Sequence, residues 1–331
     1  MAEEHPFASL SPEVVLDLVE EAAGVVCDGR LLPLNSYENR VWMVGLEDGR
    51  WVVVKCYRPE RWSDAAIREE HAFALELEQS ECPVVPPLVC HGRTLLASGG
   101  FRFAVFPRRG GRMLEVDDAS VLERLGTCVA GLHVVGARGR FSDRPSIDPG
   151  DHGRGERDWL LENQWIPVHV EEAYRSLTED LFAAMEECVD RAGNVAHLRL
   201  HGDFHPGNVL QTDTGFHLVD LDDTVTGPAI QDLWMLLSGE REERQACLEA
   251  VLTGYLRLRE FDPRELHLVE VMRALRQIRH AAWIARRWSD PAFPQAFPWF
   301  EESRFWEDHL LRLREQFAAL QEPPLEMPRW S

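Results

Sequence analysis

The residues best suited to chemistry lie in His201-Gly202-Asp203-Phe204-His205-Pro206-Gly207-Asn208-Val209-Leu210, followed by Leu218-Val219-Asp220-Leu221-Asp222-Asp223. Asp203 and Asn208 flank a Pro-Gly turn, and Asp220 ends the apolar run 216–219. Magnesium prefers hard oxygen ligands and takes only one or two from protein, leaving the rest to phosphates and water. Asn208 and Asp220 suit that task. Asp203 is then left to orient and deprotonate a hydroxyl. The chemistry this set could perform is magnesium-dependent phosphoryl transfer.

Two plainer readings compete. Asp and Asn beside Gly and Pro are common turn formers, and either residue alone would be read as one. The joint spacing, together with the lysine described next, favours chemistry. His201 and His205 are four apart, as in a zinc-binding helix, but Gly202, Pro206 and Gly207 oppose a helix there and the glutamate of that motif is absent. His205 is instead expected to orient the loop through hydrogen bonds.

Lys55 sits in Trp51-Val52-Val53-Val54-Lys55-Cys56-Tyr57. Strand alternation places Val53, Lys55 and Tyr57 on one face. A strand lysine is ordinarily solvent-facing or an edge guard. As a phosphate clamp it requires an acidic partner on the next helix, and Glu70 is expected there, with Glu69 as the alternative. The segment 34–41, ahead of the lysine strand, contains no glycine. Its Ser36 is small and polar enough for its hydroxyl and nearby backbone N–H groups to approach a β- or γ-phosphate, although a plain connecting loop would look the same. If this arrangement resembles that of kinases, Phe106, Pro107 and Arg108 would present backbone groups to adenine.

These residues need elements to hold them. Ser11-Pro12-Glu13 before Val14, Val15, Leu18, Val19 and Ala22 reads as a capped amphipathic helix. Strands are expected over 40–46 and 51–57, joined by the Asp48-Gly49 hairpin signal. A helix is expected over 64–79 and a further strand over 102–106. Helices are expected over 121–135, 171–188, 233–237, 243–258, 264–288 and 301–320, with a loop over 138–157 and short strands around 198–223. The intervening DPAFPQAFPWF reads as irregular; with Arg286, Arg287 and Trp288 it would either pack the helical part or wall an acceptor pocket. The fold class expected is α+β with two lobes: a β-rich nucleotide-binding lobe over 1–106, a hinge over 107–112 and a helical lobe over 113–331.

The bulk composition narrows the partners. The chain has 331 residues, 45% apolar and 27% charged, which suffices for two packed lobes. Its 35 basic and 56 acidic residues give a net charge of −21. That field disfavours nucleic acid and anionic membranes at long range. A phosphate ligand would need local compensation, which the basic stretches 58–61, 108–112 and 273–287 could supply. Seven scattered cysteines never form a C-x-x-C pair, so neither a disulfide framework nor a cysteine zinc site is expected. Cys56 and Cys90 are read as structural rather than redox-active. The opening MAEEHPFASL lacks the features of an export signal, and no run approaches the roughly 20 apolar residues of a membrane span. A cytoplasmic monomer is expected.

The spacing of Asp203, Asn208 and Asp220 resembles that of kinases. His201-Gly202-Asp203 stands where protein kinases have H-R-D, and Asp220-Leu221-Asp222 where they have D-F-G. That departure resembles the aminoglycoside phosphotransferase and choline kinase branch. The segments LNSYENRVW, VVVKCYRPERW, EEHAFALEL, FAVFPRRGGR, LRLHGDFHPGNVL, LVDLDD, GPAIQDLWMLLSG and RRWSDPAFPQAFPWF resemble the stress response kinase A family over nearly the whole chain. The resemblance implies a bilobal protein-kinase-like fold and a cytoplasmic Ser/Thr protein kinase of the stress response, using ATP and magnesium. It implies Asp203 as proton acceptor, Asn208 and Asp220 as metal ligands, Asp220 among the catalytic residues, and Ser36 with Lys55 and Glu70 at the nucleotide. The alternatives are a kinase of small alcohols, such as an aminoglycoside, choline or a homoserine-like compound, and an inactive nucleotide-binding scaffold. The presence of Lys55, Asp203, Asn208 and Asp220 speaks against the scaffold.

Overall fold

The computed structural model describes residues 6–328. Residues 1–5 of the segment read for an export signal, and 329–331 at the end of the second expected lobe, lie outside the described residues.

The Ser11 hydroxyl accepts from the Val14 N–H at 3.3 Å and Pro12 opens α1 (Pro12–Ala23), as the capping signal requires. Strands β1 (Cys27–Leu34), β2 (Arg40–Leu46) and β3 (Trp51–Cys56) follow, then α2 (Asp64–Gln79), β4 (Leu96–Ser98) and β5 (Phe101–Pro107). They form one antiparallel sheet in the order β1-β2-β3-β5-β4. Gly49, at φ 83°, lets the β2–β3 hairpin close with Leu46 and Arg50 hydrogen-bonded at 2.9 Å. The two faces of β3 are divided by pleat. Val52, Val54 and Cys56 pack with Val15, Leu18 and Val19 of α1. Ala104, Tyr57 and Ile67 of α2 form a separate small cluster on the other side, and Lys55 shares that side.

After residues 108–111 come β6 (Arg112–Met113), α3 (Ala119–Gly136), α4 (Arg154–Glu162), α5 (Val168–Ala192), β7 (His197–Leu200), β8 (Val209–Gln211), β9 (Phe216–Leu218), β10 (Val225–Pro228), α6 (Arg241–Tyr255), α7 (Val269–Arg286), α8 (Ala292–Ala296) and α9 (Ser303–Gln321). Helices α3 and α6 approach so closely that a β-carbon on Gly126 would lie 2.0 Å from the Val251 carbonyl, and one on Gly254 1.7 Å from that of Glu123. A second core gathers α4, α5, α7, α8 and α9 around Phe182, Phe293, Phe300 and Trp306. The aromatic segment therefore packs the helical lobe in the main. The architecture is α+β and bilobal.

Some expectations need correction. Strand β1 was not anticipated. It is an edge strand, exposed at most positions and carrying Gly29 and Pro33, so it lacks the apolar alternation that marks a half-buried strand. The expected helix over 233–237 is instead a pair of 3₁₀ turns, Ala229–Asp232 and Trp234–Leu236. The expected loop over 138–157 contains a 3₁₀ turn at Pro149–Asp151 and the start of α4. The expected helix from 264 begins as a 3₁₀ turn, Pro263–Leu268, capped by Asp262. Residues 292–296 of the aromatic segment form the short helix α8.

Candidate active site

The loop after β7 is built from buried anchors. Asp232, fully buried, accepts the backbone N–H groups of His201 and Gly202, both at 2.8 Å, and contacts His133 Nε2 at 3.1 Å. The Phe204 side chain is buried and meets the His201 ring edge-on. His201 Nε2 donates to the Val219 carbonyl at 2.9 Å, tying this loop to the end of β9. Gly202 has φ 87°, and a β-carbon there would fall 2.0 Å from the Asp223 carbonyl, so arginine cannot stand at this position as it does in H-R-D. His205 Nδ1 accepts the Gly207 N–H at 3.0 Å, the orienting role expected of it.

These anchors place the acidic residues. Asn208 Nδ2 donates to the Asp203 carbonyl at 3.0 Å, across the Pro-Gly turn. Val209 pairs with Leu218, and the Val219 N–H donates to the Asn208 carbonyl at 3.0 Å. Asn208 and Asp220 are thereby brought to one end of the β8–β9 hairpin. Asp220 is in the left-handed region at φ 60°, a conformation a non-glycine residue holds only under strain and one that clusters at functional sites.

Lys55 reaches this end of the hairpin from the sheet. Its Nζ is 3.0 Å from Asp220 Oδ1, 2.9 Å from Asp222 Oδ1 and 3.9 Å from Glu70 Oε1. Burial opposes the charge on Lys55, but Asp220, Asp222 and Glu70 together hold its pKa well above the ordinary lysine range. The structure decides between the two glutamates. Glu70 is buried beside Lys55, with Arg144 Nη1 at 3.9 Å from its second oxygen. Glu69 turns away and accepts the N–H groups of Ser142, Asp143 and Arg144 at 2.7 to 2.9 Å.

Asp222, whose part the sequence left open, is the buried counterion of the cluster. Besides Lys55 it pairs with Arg61 and accepts from Asn39 Nδ2 at 3.1 Å, while its carbonyl accepts from Arg144. Burial would raise its pKa, but Lys55 and Arg61 outweigh burial and hold it below the usual carboxylate range. Asp203 is likewise lowered. Burial acts against this, and the His205 imidazole and the Arg276 guanidinium prevail, with Arg276 Nη1 2.7 Å from Oδ1. Sequence reasoning left the role of Asp222 open and missed those of Asp232 and Arg276, whose local traces were the segment GPAIQDLWMLLSG and the basic stretch 273–287. Ser36 lies in the loop between β1 and β2, partly buried.

The donor set suits a magnesium–triphosphate group. Asn208 spends its amide N–H on Asp203 and leaves its oxygen without a hydrogen bond among the described residues, while Asp220 is an exposed carboxylate on the adjoining strand end. Lys55 supplies a retained positive charge beside them.

Fold and site together define a phosphotransferase of the kinase-like type. Residues 30–269 match the family model described as "Phosphotransferase enzyme family". The chain is 44% identical to the serine/threonine protein kinase RdoA of Salmonella typhimurium, over 97% of each chain. It is 43% identical to the stress response kinase A of Escherichia coli K12, again over 97% of each. Among solved structures, an amicoumacin kinase in complex with AMP-PNP, calcium and amicoumacin superposes with a TM-score of 0.73 at 18% identity, covering 95% of this chain and 94% of that one. The chain belongs to the phosphotransferase enzyme family, and within it to the stress response kinase A group. It is a kinase.

Proposed function

We propose that this kinase transfers the γ-phosphoryl group of ATP to Ser or Thr hydroxyls of proteins, with magnesium, in a stress response. The observation that carries this reading is the meeting of Lys55 with Asp220 at 3.0 Å, beside the hairpin end that also holds Asn208. The name of the Salmonella typhimurium relative supports a protein acceptor, and that of the Escherichia coli relative supports the stress response. The cytoplasm as location, a monomeric state, and the absence of nucleic-acid and membrane partners belong to the same proposal. The acidic charge supports the last of these, and among the described residues no helix is long and apolar enough to cross a membrane.

In this reading Lys55, oriented by Glu70 and Asp222, grips α- and β-phosphate oxygens, and the Ser36 loop covers the phosphates. Asn208 and Asp220 hold magnesium, which when bound offsets phosphate charge. Asp203 orients the acceptor hydroxyl. As that oxygen bonds to the γ-phosphorus, the bond to the bridging oxygen breaks, ADP leaves, and the hydroxyl proton passes to Asp203. Positioning and electrostatics supply most of the acceleration.

The test is incubation with labelled ATP and Mg²⁺ against a panel of proteins and small alcohols, with Asp203→Asn as control. Label should enter protein Ser or Thr, and the variant should lose turnover by roughly a hundred- to ten-thousandfold while binding a non-hydrolysable ATP analogue normally. Transfer to small alcohols alone would overturn the protein-kinase reading.

A further inference from the structure

Four consecutive side chains of the glycine-free loop, Tyr37 to Arg40, each touch a residue of the helical lobe. Tyr37 packs its ring 5.2 Å from that of Phe297. The Glu38 carboxylate accepts from Trp283 Nε1 at 2.6 Å and pairs with Arg287 Nε at 2.6 Å. Asn39 donates to Asp222 at 3.1 Å. Arg40 pairs with Asp290 at 3.1 Å, and Arg58, which also donates from Nε to the Glu38 carbonyl at 2.9 Å, pairs with Asp290 as well. Glu38, Asn39, Asp222 and Asp290 are all buried. Residues 37–40, which the catalytic reading left unused, thus meet Asp290 and Phe297 of the WSDPAFPQAF segment.

A phosphate-covering loop must do two things: let backbone N–H groups approach the phosphates, and stay in place while transfer occurs. Glycines serve the first task and leave the loop mobile. Here the side chains fix the loop, and its anchors stand on α7 (Trp283), on the connection from α7 to α8 (Arg287 and Asp290) and just after α8 (Phe297); α7 also carries the Arg276 that contacts Asp203. We propose that Glu38 and Asp290 are positioning residues of a latch, by which the acceptor-side lobe holds the Ser36 loop in place over the nucleotide. This rests on the reading that the Lys55 cleft binds ATP. Its consequence is that closure over ATP is set by contacts to α7 and to the connection that follows it rather than by the nucleotide alone.

The test uses the full-length protein and the variants Glu38→Gln, Asp290→Asn, Trp283→Phe and Tyr37→Ala. The last two remove one contact each without leaving a buried charge unpaired, which guards against simple misfolding. Affinity for a non-hydrolysable ATP analogue with Mg²⁺ is measured alongside KM for ATP and kcat per folded molecule. A latch predicts that KM and the dissociation constant of the analogue rise by roughly tenfold in Glu38→Gln and Asp290→Asn, with a smaller change in kcat. It also predicts that Trp283→Phe adds little in a Glu38→Ala background, where the acceptor of the indole N–H is already gone. A merely structural role would lower the folded fraction and leave KM unmoved. Analogue binding by the wild type with nucleotide constants unchanged within about twofold in all four variants would overturn the latch alone. Failure of the wild type to bind the analogue would overturn the ATP reading beneath it.

Discussion

Arg276 Nη1 lies 2.7 Å from Asp203 Oδ1, so the carboxylate proposed to take the acceptor's proton carries a cation from α7. The pairing joins two residues 73 positions apart. It keeps the base ionised, because the guanidinium stabilises the carboxylate over the protonated acid.

Replacing Arg276 with methionine should therefore raise the Asp203 pKa. The sign follows from the direction of the native shift: the His205 and Arg276 contacts lower it against the opposing effect of burial, and removing Arg276 releases part of that lowering. The acid limb of the pH profile of kcat/KM should move upward by about one unit, the low end of the effect of a neighbouring guanidinium on a carboxylate. Activity lost at acid pH should return as pH rises. An acid limb at the wild-type position would show that Arg276 does not govern the base.

Lys55→Met should act on stability and binding together. The substitution leaves Asp222 and Glu70 buried without their shared ammonium, though Asp222 retains Arg61. Removing one partner of a buried charge cluster costs about 3 to 5 kcal/mol, and the remaining arginines place this case toward the lower end. Urea unfolding measures the loss. Affinity for an ATP analogue should fall in parallel, measured on protein confirmed to be folded. Unchanged stability would mean that water enters the cluster and compensates it.

Asp232 touches no candidate catalytic group directly, yet its removal should disable the loop that carries Asp203. In Asp232→Ala the N–H groups of His201 and Gly202 lose their acceptor in a buried site, at about 1 to 3 kcal/mol each. Asp232→Asn retains one acceptor oxygen and should recover part of the loss. Thermal unfolding and turnover should fall in the order wild type, Asn, Ala. An alanine variant as stable and active as wild type would show that the loop holds itself.

The sequence by itself determined what depends on neighbours in the chain. The Asp203–Asn208 spacing across Pro206-Gly207, the alternation that turns Lys55 away from the α1 core, the Ser11 cap and the Asp48-Gly49 hairpin are local rules, and local rules are written in consecutive residues. Helix α2 was legible to its ends for the same reason. Which glutamate serves Lys55 was not, because adjacent helical positions point roughly 100° apart and only the packing of α2 against β3 selects between them. Asp222 as buried counterion, Arg276 on Asp203 and the meeting of Glu38 with Trp283 were decided by tertiary structure alone. Each joins segments 73 to 245 residues apart. Charge pairing at that separation has no period in the chain. It exists only once the core has fixed which charged groups are buried together and must compensate one another.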